Sequence, residues 1–228
     1  MLQNLKERNS ELNNLRILTK SLNKESRVLD VGCGMGKKLV YMTNLGFNNI
    51  VGVDINPQNV AYVRSKGQMA YVPDELEKVY NQNDFDLVIF SHVVEHFQYS
   101  DLKCFIEKYL YYIKEGALIY ISTPTLYSDF YDDFDHVKPY SHLAFLAMFS
   151  DQHKQIQYQS DCNLELLNIY FRKAPLRLRS YRSLYIKQKR VTIPRIINKI
   201  LQLLFRITLN EFGKTTGWQA LFAVNKNI

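Results

Sequence analysis

The chain has 228 residues, 46% hydrophobic and 22% charged, enough apolar content to bury the core of one α/β domain and too much for a disordered chain. No run of 18 apolar residues occurs, so no membrane-spanning helix is expected. The net charge of +7 is uneven: residues 1–171 hold 16 lysines and arginines against 21 acids, and residues 172–228 hold 13 against one. That basic quarter points either to an anionic partner (nucleic acid, membrane lipid or a phosphorylated substrate) or to a solvated surface. Cys33, Cys104 and Cys162 are odd in number and far apart, which suggests free thiols in a reducing compartment and neither a disulfide framework nor a zinc site. The first 15 residues carry charges and lack an apolar core, so no secretion signal is expected. The expected location is cytoplasmic, with a peripheral position at the inner face of a membrane as its variant.

In chain order, Leu2, Leu5, Leu12, Leu15, Ile17, Leu18 and Leu22 make a helical stripe, interrupted near Asn9-Ser10. It reads as a helical cap over residues 1–24 that packs on a sheet or covers a cleft, with no chemistry assigned to it. Residues 27–31 read as a buried strand running into Asp30-Val31-Gly32-Cys33-Gly34-Met35-Gly36, a tight glycine turn, then a helix over 35–45. The glycines let a ligand lie against the backbone, and the helix aims free N–H groups and its positive dipole end at it. The spacing is D-x-G-x-G-x-G, and Lys37 stands where a dinucleotide fingerprint wants its third glycine. A second strand ends in Asp54, placed to accept hydrogen bonds from both ribose hydroxyls. Asn56 then caps a helix that opens at Pro57.

A third strand over 68–72 leads into Pro73-Asp74-Glu75-Leu76 and a brief helix. Residues 84–90 form an apolar fourth strand ending in Ser91-His92-Val93-Val94-Glu95-His96-Phe97. An amphipathic helix over 101–114, closed by Gly116, precedes a fifth strand over 117–122. This alternation predicts one doubly wound, parallel sheet.

The glycine turn and Asp54 resemble the first motifs of class I S-adenosyl-L-methionine-dependent methyltransferases. Phe85-Asp86-Leu87-Val88 running into His92-Val93-Val94-Glu95-His96 resembles the fourth-strand motif of a subgroup acting on small molecules, quinones and glycans. So do Gly116-Ala117-Leu118-Ile119-Tyr120-Ile121-Ser122-Thr123-Pro124 and Asp135-His136-Val137-Lys138-Pro139-Tyr140-Ser141. The resemblance implies a Rossmann-like, mostly parallel seven-stranded sheet with an antiparallel last strand, in a single domain over 1–228. It implies S-adenosyl-L-methionine as cofactor, with Asp30, Gly32, Cys33, Gly34 and Gly36 at its methionine part, Asp54 and Ile55 at the ribose, and Asp74 or Glu75 at adenine. Ser91 and His92 would stand by the methyl donor. It assigns no metal ligands.

The acceptor is expected to be a small molecule, a carbohydrate or a lipid-linked glycan, methylated on oxygen. Its proton needs a base, and histidine is the usual one near neutral pH. His92 and His136 are the catalytic candidates; His96 reads as structural, and a loop-anchoring role is open for His136. Tyr127, Phe130, Tyr131, Phe134 and Tyr140, among Asp132, Asp133 and Asp135, form either a substrate wall or a lid core.

Strands over 164–170 and 217–224 are expected to pair as an antiparallel edge, with a basic insertion over 172–214 between them. Its first part holds Arg177, Arg179, Arg182, Lys187, Lys189 and Arg190. An apolar helix follows from Pro194, edged by Arg and Lys. It suits an anionic membrane surface, a homodimer contact or a cover for the core. The basic terminus also permits nucleic-acid methylation, but Ser91-His92-Val93-Val94 lacks the Asn/Asp-Pro-Pro-aromatic group that methylates base amines, and no Pro-Cys pair supplies a nucleophile. A non-catalytic cofactor-binding module and a dinucleotide oxidoreductase complete the alternatives.

Overall fold

The computed structural model describes residues 11–149, 159–160, 162–178 and 192–226. Seven strands, β1 (Arg27–Val31), β2 (Asn49–Val53), β3 (Met69–Tyr71), β4 (Phe85–Ser91), β5 (Ile113–Pro124), β6 (Cys162–Ala174) and β7 (Lys214–Lys226), form one sheet in the order β3-β2-β1-β4-β5-β7-β6. β7 is antiparallel to both its neighbours, β5 and β6, and the remaining pairs are parallel. This is the sheet implied by the sequence resemblance. The strand order reverses beside β1, which places the glycine turn at the switch point where open α/β sheets bind ligands.

The described helices are α1 (Glu11–Leu18), α2 (Lys37–Asn44), α3 (Pro57–Ser65), α4 (Pro73–Val79), α5 (Tyr99–Leu110), α6 (His142–Met148) and α7 (Thr192–Ile207). Side chains alternate across the sheet. Val28, Ile50, Leu87, Ile89 and Tyr120 face α1, α2 and α3, packing on Leu15, Leu39, Met42 and Val60. Leu29, Val53, Val88, Phe90 and Ile121 face α5 and α6, packing on Leu102, Ile106 and Phe145. Burial on both faces is why these strands read as continuous apolar runs. Asn14 of α1 donates from Nδ2 to Gln219 Oε1 at 2.7 Å, a buried bond that ties the N-terminal helix to β7.

Three boundaries differ from the sequence expectation. α5 ends at Leu110 and β5 begins at Ile113, so Gly116 lies inside a strand. Its φ of +70° and the register shift between Phe85 and Leu87 mark a bulge, not a helix stop. β6 and β7 are also longer than expected, because each pairs with the other well beyond the sheet's core. The insertion between them therefore shortens to residues 175–213. Of the expected N-terminal stripe, α1 accounts for Glu11–Leu18. Residues 1–10, and Arg179, Arg182, Lys187, Lys189 and Arg190, lie outside the described residues. Among those described, no helix is long and apolar enough to cross a membrane.

Candidate active site

The glycine turn is stitched to the end of β2. Gly32 N and Cys33 N both donate to Val53 O, at 2.8 and 3.1 Å. Gly32, Gly34 and Gly36 have φ of +70°, +51° and +73°, a region that side chains disfavour. A Cβ on Gly32 would strike Val93 at 2.5 Å, and the space above Gly34 is open to 4 Å. Cys33 turns its thiol inward against Gly52, where a Cβ would come within 2.7 Å of Sγ. Burial pushes that thiol up to about 12, so Cys33 can offer a ligand only its backbone.

Asp54 organises the turn. Its Oδ2 accepts from Gly34 N at 2.8 Å; its Oδ1 accepts from Asn56 N at 2.8 Å and Asn59 Nδ2 at 3.2 Å. Oδ2 keeps a lone pair for a ligand hydroxyl. Asp30 is buried beneath the turn, and desolvation raises its carboxyl to about 7 against the opposing pull of Lys38. Ile55 is 84% exposed beside Asp54. Of the two acids expected at adenine, Glu75 is engaged elsewhere: it bonds Arg64 Nη2 at 2.5 Å and accepts from Val72 N at 3.3 Å, holding the start of α4. Asp74 stays exposed. The open space over Gly34, the acceptor on Asp54 and the positive end of α2 fit a nucleoside cofactor with an amino-acid tail.

The carboxyl end of β4 carries a network that joins distant parts of the chain. His92 sits at φ +55°, a costly conformation for a side-chain-bearing residue. Its backbone N–H donates to Ser122 O at 2.8 Å. Its Nε2 lies 3.0 Å from Glu11 Oε2 and its Nδ1 3.1 Å from Glu95 Oε1. Glu11 also accepts from Ser91 Oγ at 2.5 Å and pairs with Lys38 at 3.1 Å. Glu95 is fully buried, with Thr123 Oγ1 donating to its Oε2 at 3.0 Å. Arg172 of β6 comes within 3.4 Å of His92 Nε2. Burial alone would lower the His92 imidazole, but its bonds to Glu11 and Glu95 outweigh that and raise it to about 9. Burial would raise the Glu11 carboxyl, and His92, Lys38 and Ser91 together pull it far below the usual range.

Both ring nitrogens of His92 are thus engaged by carboxylates that favour its cation. In His136, Nδ1 donates to Phe130 O at 2.7 Å, which leaves Nε2 as the acceptor of the neutral tautomer. That Nε2 lies 3.6 Å from Asp133 Oδ2 and 4.0 Å from Glu95 Oε1. The loop bearing it is pinned by Val137 N and Lys138 N, which donate to Glu95 O at 2.9 and 3.0 Å. His96 helps by bonding Asp135 O through Nδ1 at 2.8 Å. Glu95, His96 and His136 bring one potential metal-ligand atom each within 4.8 Å of one another, a grouping that the sequence reading did not assign. The aromatic loop divides: Phe130 and Tyr140 are core, while Tyr131 and Phe134 are exposed, Phe134 at 98%.

Sequence reasoning left Glu11, Glu95 and Arg172 without a role. Glu11 stood in a stripe to which no chemistry was assigned. Its one visible signal, an acid in the first turn of a helix, has an ordinary explanation in the helix dipole.

The His92 network predicts a pH-dependent stability. Its folded value of about 9 lies above the ordinary 6.5. The stabilisation is complete below about pH 6.5 and is lost as pH rises through 9. Thermal melts should fall by several degrees between pH 6.5 and 9.5, and His92→Gln should flatten that slope. Equal slopes in the two proteins would show that His92 gains no proton affinity on folding.

A doubly wound sheet with a D-x-G-x-G-x-G turn and an acid ending β2 defines a nucleoside-cofactor site of the methyltransferase type. The model of the Methyltransferase domain family matches residues 2–172, and the chain belongs to that family. Its cofactor is S-adenosyl-L-methionine. Two relatives are named ubiquinone biosynthesis O-methyltransferase. The one from Bradyrhizobium sp. (strain ORS 278) is 36% identical over 111 residues, 46% of this chain and 43% of that protein. The one from Chelativorans sp. (strain BNC1) is 33% identical over 103 residues, 42% and 40%. The matched stretch thus spans about two fifths of the curated relatives' length. A solved SAM-dependent methyltransferase from Archaeoglobus fulgidus shares the fold, with a TM-score of 0.59, 24% identity and 98% of each chain covered.

Proposed function

We propose that this chain transfers a methyl group from S-adenosyl-L-methionine to a hydroxyl oxygen of a small-molecule acceptor, with His136 taking the hydroxyl proton. The observation that carries the reading is the placement of His136: its Nδ1 is tied to Phe130 O at 2.7 Å, and its Nε2 is set 4.0 Å from buried Glu95 Oε1. The cofactor, when bound, supplies a methyl group already made electrophilic by its sulfonium. The chain's own work is positioning and proton transfer. Asp54 and the glycine turn hold the nucleoside end. The Glu11–His92–Glu95 chain fixes the end of β4. Glu95 stabilises the imidazolium that forms on His136 as the proton arrives at Nε2.

The relatives' names support a hydroxylated aromatic or quinol acceptor. A carbohydrate acceptor is favoured by one feature, the exposed Tyr131 and Phe134 among the exposed acids Asp132, Asp133 and Asp135. Radiolabelled S-adenosyl-L-methionine should give label transfer to polyprenylated or simple catechols and not to sugar nucleotides. Transfer to sugars alone would replace the first acceptor class with the second. Cofactor binding with no transfer to either panel would count against small-molecule methylation.

A further inference from the structure

The insertion that joins β6 to β7 leaves the sheet beside the active site. β7 pairs antiparallel with β5, so Gly217 lies opposite Pro124, and β6 ends where Ala174 meets Lys214. Arg172, the residue that reaches His92, lies two positions before the end of β6, where the insertion opens. α7, within this insertion, is held by its inner side. Asn198 clamps the backbone of Leu178, accepting from its N–H at 2.7 Å and donating to its carbonyl at 3.0 Å. The Phe205 ring lies so close to Gly213 that a Cβ there would meet it at 2.8 Å. These ties fix which face of α7 turns outward.

That outward face is apolar. Ile193, Ile196, Ile200, Leu203, Leu204 and Ile207 are all exposed, Ile193 by 72%. At about 100° per residue they fall in an arc of about 100°. Arg195, Lys199 and Arg206 border one side of that arc, and the helix contains no acid. Its 16 residues span ~24 Å, too short to cross a hydrocarbon core of ~30 Å. An apolar arc flanked by cations is the pattern of a helix lying in a membrane interface, its leucines and isoleucines in the acyl boundary and its cations at headgroup phosphates.

Charge decides among the occupants. A two-fold contact between copies would bring two such basic helices together, each from a segment with 13 cations and one acid over residues 172–228. The chain's own residues 179–191 carry five cations and no acid, so they cannot neutralise the flank either. We propose that the outward face of α7 docks the protein on a bilayer rich in anionic phospholipid. Because the insertion opens at the sheet edge that carries His92, docking there would bring that edge close to the membrane. An acceptor dissolved in the bilayer would then reach the site without crossing water. That consequence rests on the small-molecule reading; the docking itself does not.

The test is co-sedimentation of the full chain with vesicles of phosphatidylcholine alone or with 30 mole percent phosphatidylglycerol. The protein should partition at least ten-fold better onto the anionic vesicles, and 0.5 M salt should remove most of that preference. Arg195→Gln/Lys199→Gln/Arg206→Gln should lower partitioning by roughly 100-fold. Ile196→Asp/Ile200→Asp should abolish it and leave S-adenosyl-L-methionine affinity, read by calorimetry on the same sample, unchanged. Equal partitioning onto both vesicle types, or none onto either, overturns the proposal. In the second case a dimer in sedimentation that Ile196→Asp/Ile200→Asp breaks assigns the face to a second copy. A monomer whose melting point those substitutions lower assigns it to the chain's own residues. Failure of methyl transfer with vesicle binding intact would count against the enzymatic reading alone.

Discussion

Asp54→Ala is expected to weaken S-adenosyl-L-methionine binding by 100-fold or more in a calorimetric titration. The carboxylate does two jobs at once. It would accept from a ribose hydroxyl, and it already accepts from Gly34 N, Asn56 N and Asn59 Nδ2. A hydrogen bond to a charged group contributes ~1.5–3 kcal/mol. Losing the ribose bond and the bond that shapes Gly34 therefore costs ~3–6 kcal/mol, about 100- to 10,000-fold in affinity. Asp54→Asn is the sharper variant, because it keeps one acceptor oxygen and sets an NH2 group against the backbone donors on the other side. It should bind between the two extremes. If Asp54→Ala binds within threefold of wild type, Asp54 is only a loop staple, and the nucleoside lies elsewhere.

That prediction rests on a part of the molecule that was legible in the sequence. β1, β2 and β4 are covered by helices on both faces, so their apolar runs are unbroken and their ends are marked by the polar residues that face the cleft. Asp54 was readable from its place at the end of such a strand. Gly116 was not, because a glycine after a helical stripe signals a helix stop whether the chain turns there or bulges inside a strand. The far ends of β6 and β7 were missed because they extend beyond the covered core, where alternation is weak. The network around His92 was least legible of all. Glu11 meets it across 81 positions and Arg172 across 80. Pairings of that range are made by the sheet and helix positions, and local pattern carries no trace of them. The sequence did bring His92 and Glu95 together, three positions apart at one strand end. The structure adds that Glu11 and Glu95 together hold the His92 ring and raise its value to about 9, and the proposed base is therefore His136.

His136→Ala should lower kcat by about 100- to 10,000-fold and leave the dissociation constant for S-adenosyl-L-methionine within twofold. Removing a general base typically costs that much, and His136 bonds the loop carbonyl of Phe130, not the glycine turn. A merely structural histidine would behave differently. Its loss would free the loop after β5, lowering the melting point and raising KM with little change in kcat. Free imidazole added to His136→Ala should restore part of the activity if the missing group is a base, and should do nothing if it is a loop anchor. Glu95→Gln separates the two histidines. It removes the carboxylate that stabilises a proton on His136, so kcat should fall about tenfold to 100-fold. It also removes one of the two carboxylates that hold His92 near 9, so the pH-dependent loss of stability should move toward lower pH. A Glu95→Gln protein with full kcat and a displaced stability profile would leave His92 coupled to Glu95 and take Glu95 out of the chemistry. Undiminished kcat in His136→Ala would remove the base itself, and with it the proton route that the geometry offers at this edge of the sheet.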